Sequence, residues 1–177
     1  MRNDRRRAFA LSLALALPAC QTTPRTTQPA SGGSRFPNAS EIEIITEGDS
    51  LPRPARIDRG PRYPTSLRSS GVTGQLVAAF VIDTAGRAEP RSISFVGPFA
   101  HREFQESVCK FLREEARFVP GRSGDRPRRT LVFMAFAFTL GFAGPTGPAP
   151  DVKGYQKRAR ALPRDELVAD LESRPHC

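Results

Sequence analysis

Gln75-Leu76-Val77-Ala78-Ala79-Phe80-Val81-Ile82-Asp83-Thr84-Ala85-Gly86-Arg87 is the stretch from which the fold is read. Residues 75–83 read as a strand, with Leu76, Ala78, Phe80 and Ile82 on one face and Val77, Ala79 and Val81 on the other. Asp83-Thr84-Ala85-Gly86 reads as a tight turn, because glycine adopts positive φ without steric cost. Residues 87–96 then return as a second strand, with Pro90 marking an irregular start or an edge.

Working outward, Tyr63-Pro64 opens the ordered region upstream. Pro64 suits the first turn of a helix, where no backbone donor is needed. Residues 65–70 form that short helix, and Gly71 can end it in a left-handed conformation. Downstream the period changes. Phe104, Val108, Phe111 and Leu112 recur at the spacing of an amphipathic helix within residues 99–117. Residues 120–127 break the chain with proline, glycine and charge, residues 129–140 read as a third long strand, and residues 141–150 as a loop. The expected fold is α+β: an antiparallel three-stranded sheet with two helices on one face.

Both faces of that sheet are apolar. Leu131, Phe133, Ala135 and Ala137 alternate with Val132, Met134, Phe136 and Phe138 in the last strand. A clean apolar/polar alternation is expected only where one face meets water. Something should therefore cover the second face. The candidates are the extension at 141–177, the segment at 42–45, or a second copy. The extension is favoured, because Leu167, Val168 and Leu171 give an apolar side to a short helix at 165–173.

The front of the chain reads as an address. Arg5-Arg6-Arg7 precedes a short apolar run at 8–19, the pattern of a signal peptide, and the run is shorter than the ~20 residues a membrane span needs. Leu17-Pro18-Ala19-Cys20 resembles the bacterial lipobox, which implies lipidation at Cys20. Residues 20–54 then read as lipid anchor and flexible tether, rich in Pro, Ser and Thr, although Glu41-Ile42-Glu43-Ile44 alternates like a short strand.

The net charge is +9; without residues 1–19 the chain keeps 23 cationic against 17 acidic side chains, or +6. Arg122, Arg126, Arg128 and Arg129 cluster beside the last strand, either to steer an acidic partner or lipid head groups, or as a solvated loop. No base-reading motif is present, and no nucleic acid is expected. His101 and His176 are the only histidines and show no metal-ligand spacing, so neither a metal nor any other cofactor is expected. Nothing local suggests a catalytic triad or a phosphate loop, and no enzyme is expected. Once Cys20 is set aside, Cys109 and Cys177 remain; in an oxidising compartment they either bridge or stay as two thiols.

The joints between the elements carry a family pattern. Pro61-Arg62-Tyr63-Pro64, Gly71-Val72-Thr73-Gly74, the alternation up to Ile82-Asp83 with Gly86-Arg87, Phe104, and Phe118-Val119-Pro120 with Gly124 and Pro127 together resemble the TonB C-terminal domain family over about residues 55–140. The family often has a tryptophan before its Phe-x-Pro segment, and this chain has none. The resemblance implies a periplasm-facing module that binds a protein partner; Gln21 after the lipobox cysteine, where aspartate often marks inner-membrane retention, points the anchor to the outer membrane. It implies strand addition at the edge of the last strand, around Thr130, Leu131, Val132, Phe133, Met134, Phe136 and Phe138. The partner it implies is an envelope protein such as a TonB-dependent outer-membrane transporter. The competing reading is a structural envelope lipoprotein that supports an assembly without energy transduction. Proline at Val132 or Met134 is expected to remove a ladder donor and weaken an added strand or the fold itself.

Overall fold

The computed structural model describes residues 33–44, 50–56, 59–98, 101–142, 144–145 and 147–177. The signal-peptide and lipidation readings at residues 1–20 lie outside the described residues. The elements run β1 (Arg53–Pro54), α1 (Thr65–Ser69), β2 (Gly74–Ile82), β3 (Ser94–Val96), α2 (Arg102–Lys110), β4 (Phe118–Val119), β5 (Gly121–Ser123), β6 (Arg126–Arg128), β7 (Thr130–Phe138), α3 (Val152–Ala161) and α4 (Arg164–Ser173).

β2 is the central strand of an antiparallel sheet ordered β3-β2-β7. Its register against β7 is unbroken from Gly74↔Phe138 to Ile82↔Thr130. The turn at its end forms as the sequence suggests. Gly86 takes φ 77°, and the Asp83 carboxylate accepts from the N–H groups of Ala85 at 2.9 Å and Arg87 at 2.8 Å. The return strand is shorter than 87–96. A 3-10 turn at Pro90–Ser92 interrupts it, because proline has no N–H to give the ladder; before the turn only an isolated bridge, Ile82↔Ala88, meets β2, and after it Ser94–Val96 pairs with β2. The segment 120–127, read as a break, folds instead into the β5–β6 hairpin, with Gly124 at φ 58° in its turn.

The sheet separates two cores. On one face α1 and α2 bury Leu76, Phe80, Ile82, Phe104, Val108, Leu112 and Phe138. Tyr63 sits edge-on to both Phe104 and Phe138, and its hydroxyl donates to the Val72 carbonyl, which ties the start of α1 to the start of β2. A π-helical turn, Phe111–Glu115, continues α2 and closes with Ala116 N–H on the Phe111 carbonyl at 2.8 Å.

On the other face Val77, Ala79, Val81, Leu131 and Phe133 pack against Phe36, Ile42, Ala159, Leu167 and Leu171. Two segments share the covering. The extension supplies two helices rather than the one expected at 165–173. α3 was not legible because its lone periodic signal is interrupted by Gly154; the Asp151 side chain caps it by accepting from Gly154 N–H at 2.8 Å. The second contributor lies upstream of the expected domain boundary at residue 55. Phe36 and Ile42 are buried, so packing begins well before Pro54. The alternating 41–44 segment is not a strand of its own: it follows a 3-10 turn at Ala39–Glu41 and makes one parallel bridge, Glu43↔Thr130.

The extension also wraps the β3 edge. Phe95 N–H donates to the Pro175 carbonyl at 2.8 Å, Cys177 N–H to the Ile93 carbonyl at 3.3 Å, and Cys109 is joined to Cys177 with Cα atoms 5.7 Å apart. One tail both covers the second face and reaches the helix layer, because only the last few residues pass around β3. Residues Gly33–Cys177 form one compact unit. With two cores and a covalent closure of its own, it has what a domain needs to fold alone.

Candidate partner-binding edge

The two outer edges of the sheet differ. The C-terminal residues occupy the β3 edge. The β7 edge is occupied only at its beginning, where Glu43 N–H donates to the Arg129 carbonyl at 2.8 Å and Leu131 N–H donates to the Glu43 carbonyl at 3.0 Å.

That contact fixes the direction of every backbone group in β7. In an antiparallel pair, alternate residues turn their N–H and C=O toward the partner strand and away from it. Leu131 points outward, so Phe133, Ala135 and Ala137 do as well, while Thr130, Val132, Met134, Phe136 and Phe138 bond β2. Among the described residues nothing bonds the outward groups of Phe133, Ala135 and Ala137. Ala135 and Ala137 are exposed.

This corrects the set of edge residues expected from sequence. Val132 and Met134 donate inward, so proline at either position breaks the core sheet rather than testing the edge. Phe133, Phe136 and Phe138 are 8%, 7% and 3% exposed, so they are core rather than a docking surface. Phe136 meets Phe111 at 6.3 Å between ring centres, and Phe133 stacks on Tyr155 of α3 at 6.3 Å. The signal that could have found Ala135 and Ala137 is their small size amid large apolar residues; what their backbone faces depends on register, which sequence does not state.

Beside the open edge, on the α1–α2 face, lies an apolar cavity of about 530 Å³ lined by Met134, Phe136, Phe111, Phe118, Pro54 and Pro61. Arg56, Arg59 and Arg117 stand on its rim.

The arginine cluster is not a single patch. Arg129 is 17% exposed and bonds both oxygens of Glu89 through Nε and Nη2, at 2.6 and 2.8 Å, while Nη2 also donates to the Pro37 carbonyl and Nη1 to the Asn38 carbonyl. The hydrogen bond to Glu89 holds the Arg129 guanidinium above its ordinary pKa, against the lowering by burial. Its work is to fasten the 37–43 segment to the sheet. Arg128 pairs with Glu43 at 3.4 Å, and Arg122 donates to the Asp125 carbonyl at 2.8 Å. Arg35 anchors the same upstream segment to α4 by donating to the Leu171 carbonyl at 2.7 Å; burial lowers its pKa, and nearby Glu172 opposes that. His101 packs on Phe104, and His176 bridges Ser94 on the β3 edge, so the two histidines have separate structural partners. Among the described residues no group of three His, Cys, Asp or Glu side chains is placed to hold a metal ion, and no helix is long and apolar enough to cross a membrane.

The fold is a small α+β domain whose sheet is covered at the β3 edge and open along most of the β7 edge. Residues 59–140 match the sequence model of the Gram-negative bacterial TonB protein C-terminal, and this segment is a domain of that family. A solution NMR structure of the Pseudomonas aeruginosa TonB C-terminal domain is 26% identical to the chain, covering 53% of this chain and 91% of that one, with a TM-score of 0.42. No match was found among curated proteins. Domains of this family bind protein partners in the cell envelope, which places this one there too.

Proposed function

We propose that this protein is a lipoprotein, anchored through Cys20 on the periplasmic side of the envelope, that captures an extended segment of a partner protein by strand addition to β7. The observation that supports this most directly is the row of outward, unbonded backbone groups at Phe133, Ala135 and Ala137. An extended peptide satisfies such groups with main-chain hydrogen bonds, and pockets beside the edge select its alternate side chains. The partner class we propose is an outer-membrane transporter of the TonB-dependent kind, with the outer membrane as the site of anchoring.

Two experiments test the reading. A photo-crosslinker at Ala135 or Ala137 in cells should capture an envelope protein through an extended segment; capture of nothing, or capture equally strong from exposed Ala161 at the end of α3, would overturn strand addition here. Mass spectrometry of the mature N-terminus should find a lipid-modified cysteine at residue 20. An intact Met1 start in the envelope fraction rejects the anchor.

A further inference from the structure

α3 is the element of the extension that presents charge of one sign. Its ten residues contain Lys153, Lys157, Arg158 and Arg160 and no acid. Val152, Tyr155 and Ala159 turn inward to the second core. At 100° per residue, Lys153, Lys157 and Arg160 share a stripe about 130° away from that inner face. All three are exposed. Arg158 is set apart, lying 4.7 Å over the Tyr155 ring.

Some of the arginines elsewhere in the fold are paired, and others bond only backbone carbonyls. Arg62, Arg102, Arg128, Arg129 and Arg174 each meet a carboxylate. Among the described residues, no carboxylate pairs with Lys153, Lys157 or Arg160. The stripe also works against its own helix. The N-terminal turn of a helix favours acids, and α4 has Asp165 and Glu166 there; α3 has an acidic N-cap, Asp151, but Lys153 and no acid in the turn that follows it. Lys157 then stands four residues from Lys153 and three from Arg160, spacings at which like charges repel. Helix stability alone accounts for Arg160 near the C-terminus, but not for Lys153 or for the unbroken sign.

We infer that this stripe of α3 docks on a bilayer surface rich in anionic phospholipid. The outer face of a helix is convex and offers no shaped recess for a folded partner. Laterally mobile lipid phosphates can gather under each long cation without one. The inference goes beyond the partner reading and rests on it only for bringing the domain close to a membrane.

The test uses the Gly33–Cys177 unit, which lacks Cys20, so an acyl chain plays no part. Flotation with vesicles of one part phosphatidylglycerol to three parts phosphatidylethanolamine should show salt-sensitive binding, absent with phosphatidylcholine. The triple variant Lys153→Glu, Lys157→Glu, Arg160→Glu should weaken it by roughly a hundredfold, from about fivefold per cation. The variant places an acid in the first turn, so the helix should hold, and an unchanged far-UV spectrum and melting point check this. Equal binding by parent and variant overturns the inference. So does binding to purified peptidoglycan sacculi but not to the vesicles. Crosslink capture at Ala135 in cells should be the same in parent and triple variant, which keeps failure here distinct from failure at the β7 edge.

Discussion

Glu43 accepts a hydrogen bond from the Leu131 N–H at 3.0 Å, and beyond it no described residue bonds the outer edge of β7. One residue of the protein's own chain therefore sits where an added strand would begin. It leaves Phe133, Ala135 and Ala137 free and sets which β7 positions can test the edge.

Proline should act in opposite ways at neighbouring positions. Met134→Pro removes a donor to β2 and should cost about 3 kcal/mol or more of stability. Ala135→Pro removes only an outward donor and should leave the domain folded while weakening capture of the partner by tenfold or more, about one main-chain hydrogen bond's worth. Urea unfolding and crosslinking yield separate the two. A folded Ala135→Pro variant with undiminished capture would place recognition elsewhere.

Truncation after Gly144 removes Ala159, Leu167 and Leu171 from the second core and uncovers Val77, Val81 and Phe133. Losing a buried leucine costs about 2–5 kcal/mol, and domain stability is only about 5–15 kcal/mol. The shortened chain should be unfolded or self-associated by light scattering. A monomer with unchanged melting would show that the tail contributes nothing.

The Cys109–Cys177 link spans 68 residues of sequence. Chain entropy alone sets its contribution at about 4 kcal/mol, and measured values commonly fall at 2–4 kcal/mol. Cys177→Ser should lower the urea midpoint accordingly. It should also speed amide exchange at Phe95, whose N–H is held by the Pro175 carbonyl. Unaltered exchange there would mean the tail keeps its place on β3 without the covalent tie.

Gly86 tolerates no side chain. Its φ is +77°, and a Cβ would come 2.0 Å from the Phe118 carbonyl oxygen. Phe118 N–H also donates to the Gly86 carbonyl at 2.8 Å, so the turn after β2 and the strand β4 press together. Gly86→Ala should cost about 3 kcal/mol or more, above the usual range for a surface turn. Thermal melting decides it: a shift within a degree would show that the turn relaxes freely.

Sequence by itself determined the elements whose signal is local. The alternation in β2 and β7, the Asp83–Gly86 turn and the stripe of Phe104, Val108 and Leu112 depend on period and on glycine's tolerance of positive φ, which neighbouring residues alone decide. The need to cover Val77, Ala79 and Val81 was equally legible, because a strand apolar on both faces cannot leave one in water. Tertiary structure alone decided what does the covering. Phe36 and Ile42 lie in a segment whose composition reads as tether, and they are ordered because the sheet offers them a surface and Arg129 and Arg35 fasten the backbone beside them. α3 was not legible because its inner side, Val152, Tyr155 and Ala159, offers only one large aliphatic residue and Gly154 falls within it. The direction of each backbone group in β7 was also beyond the sequence. Which residues bond β2 and which face outward is a matter of register, set by a partner strand distant in sequence, from Ile82↔Thr130 to Gly74↔Phe138, and by the single bridge to Glu43.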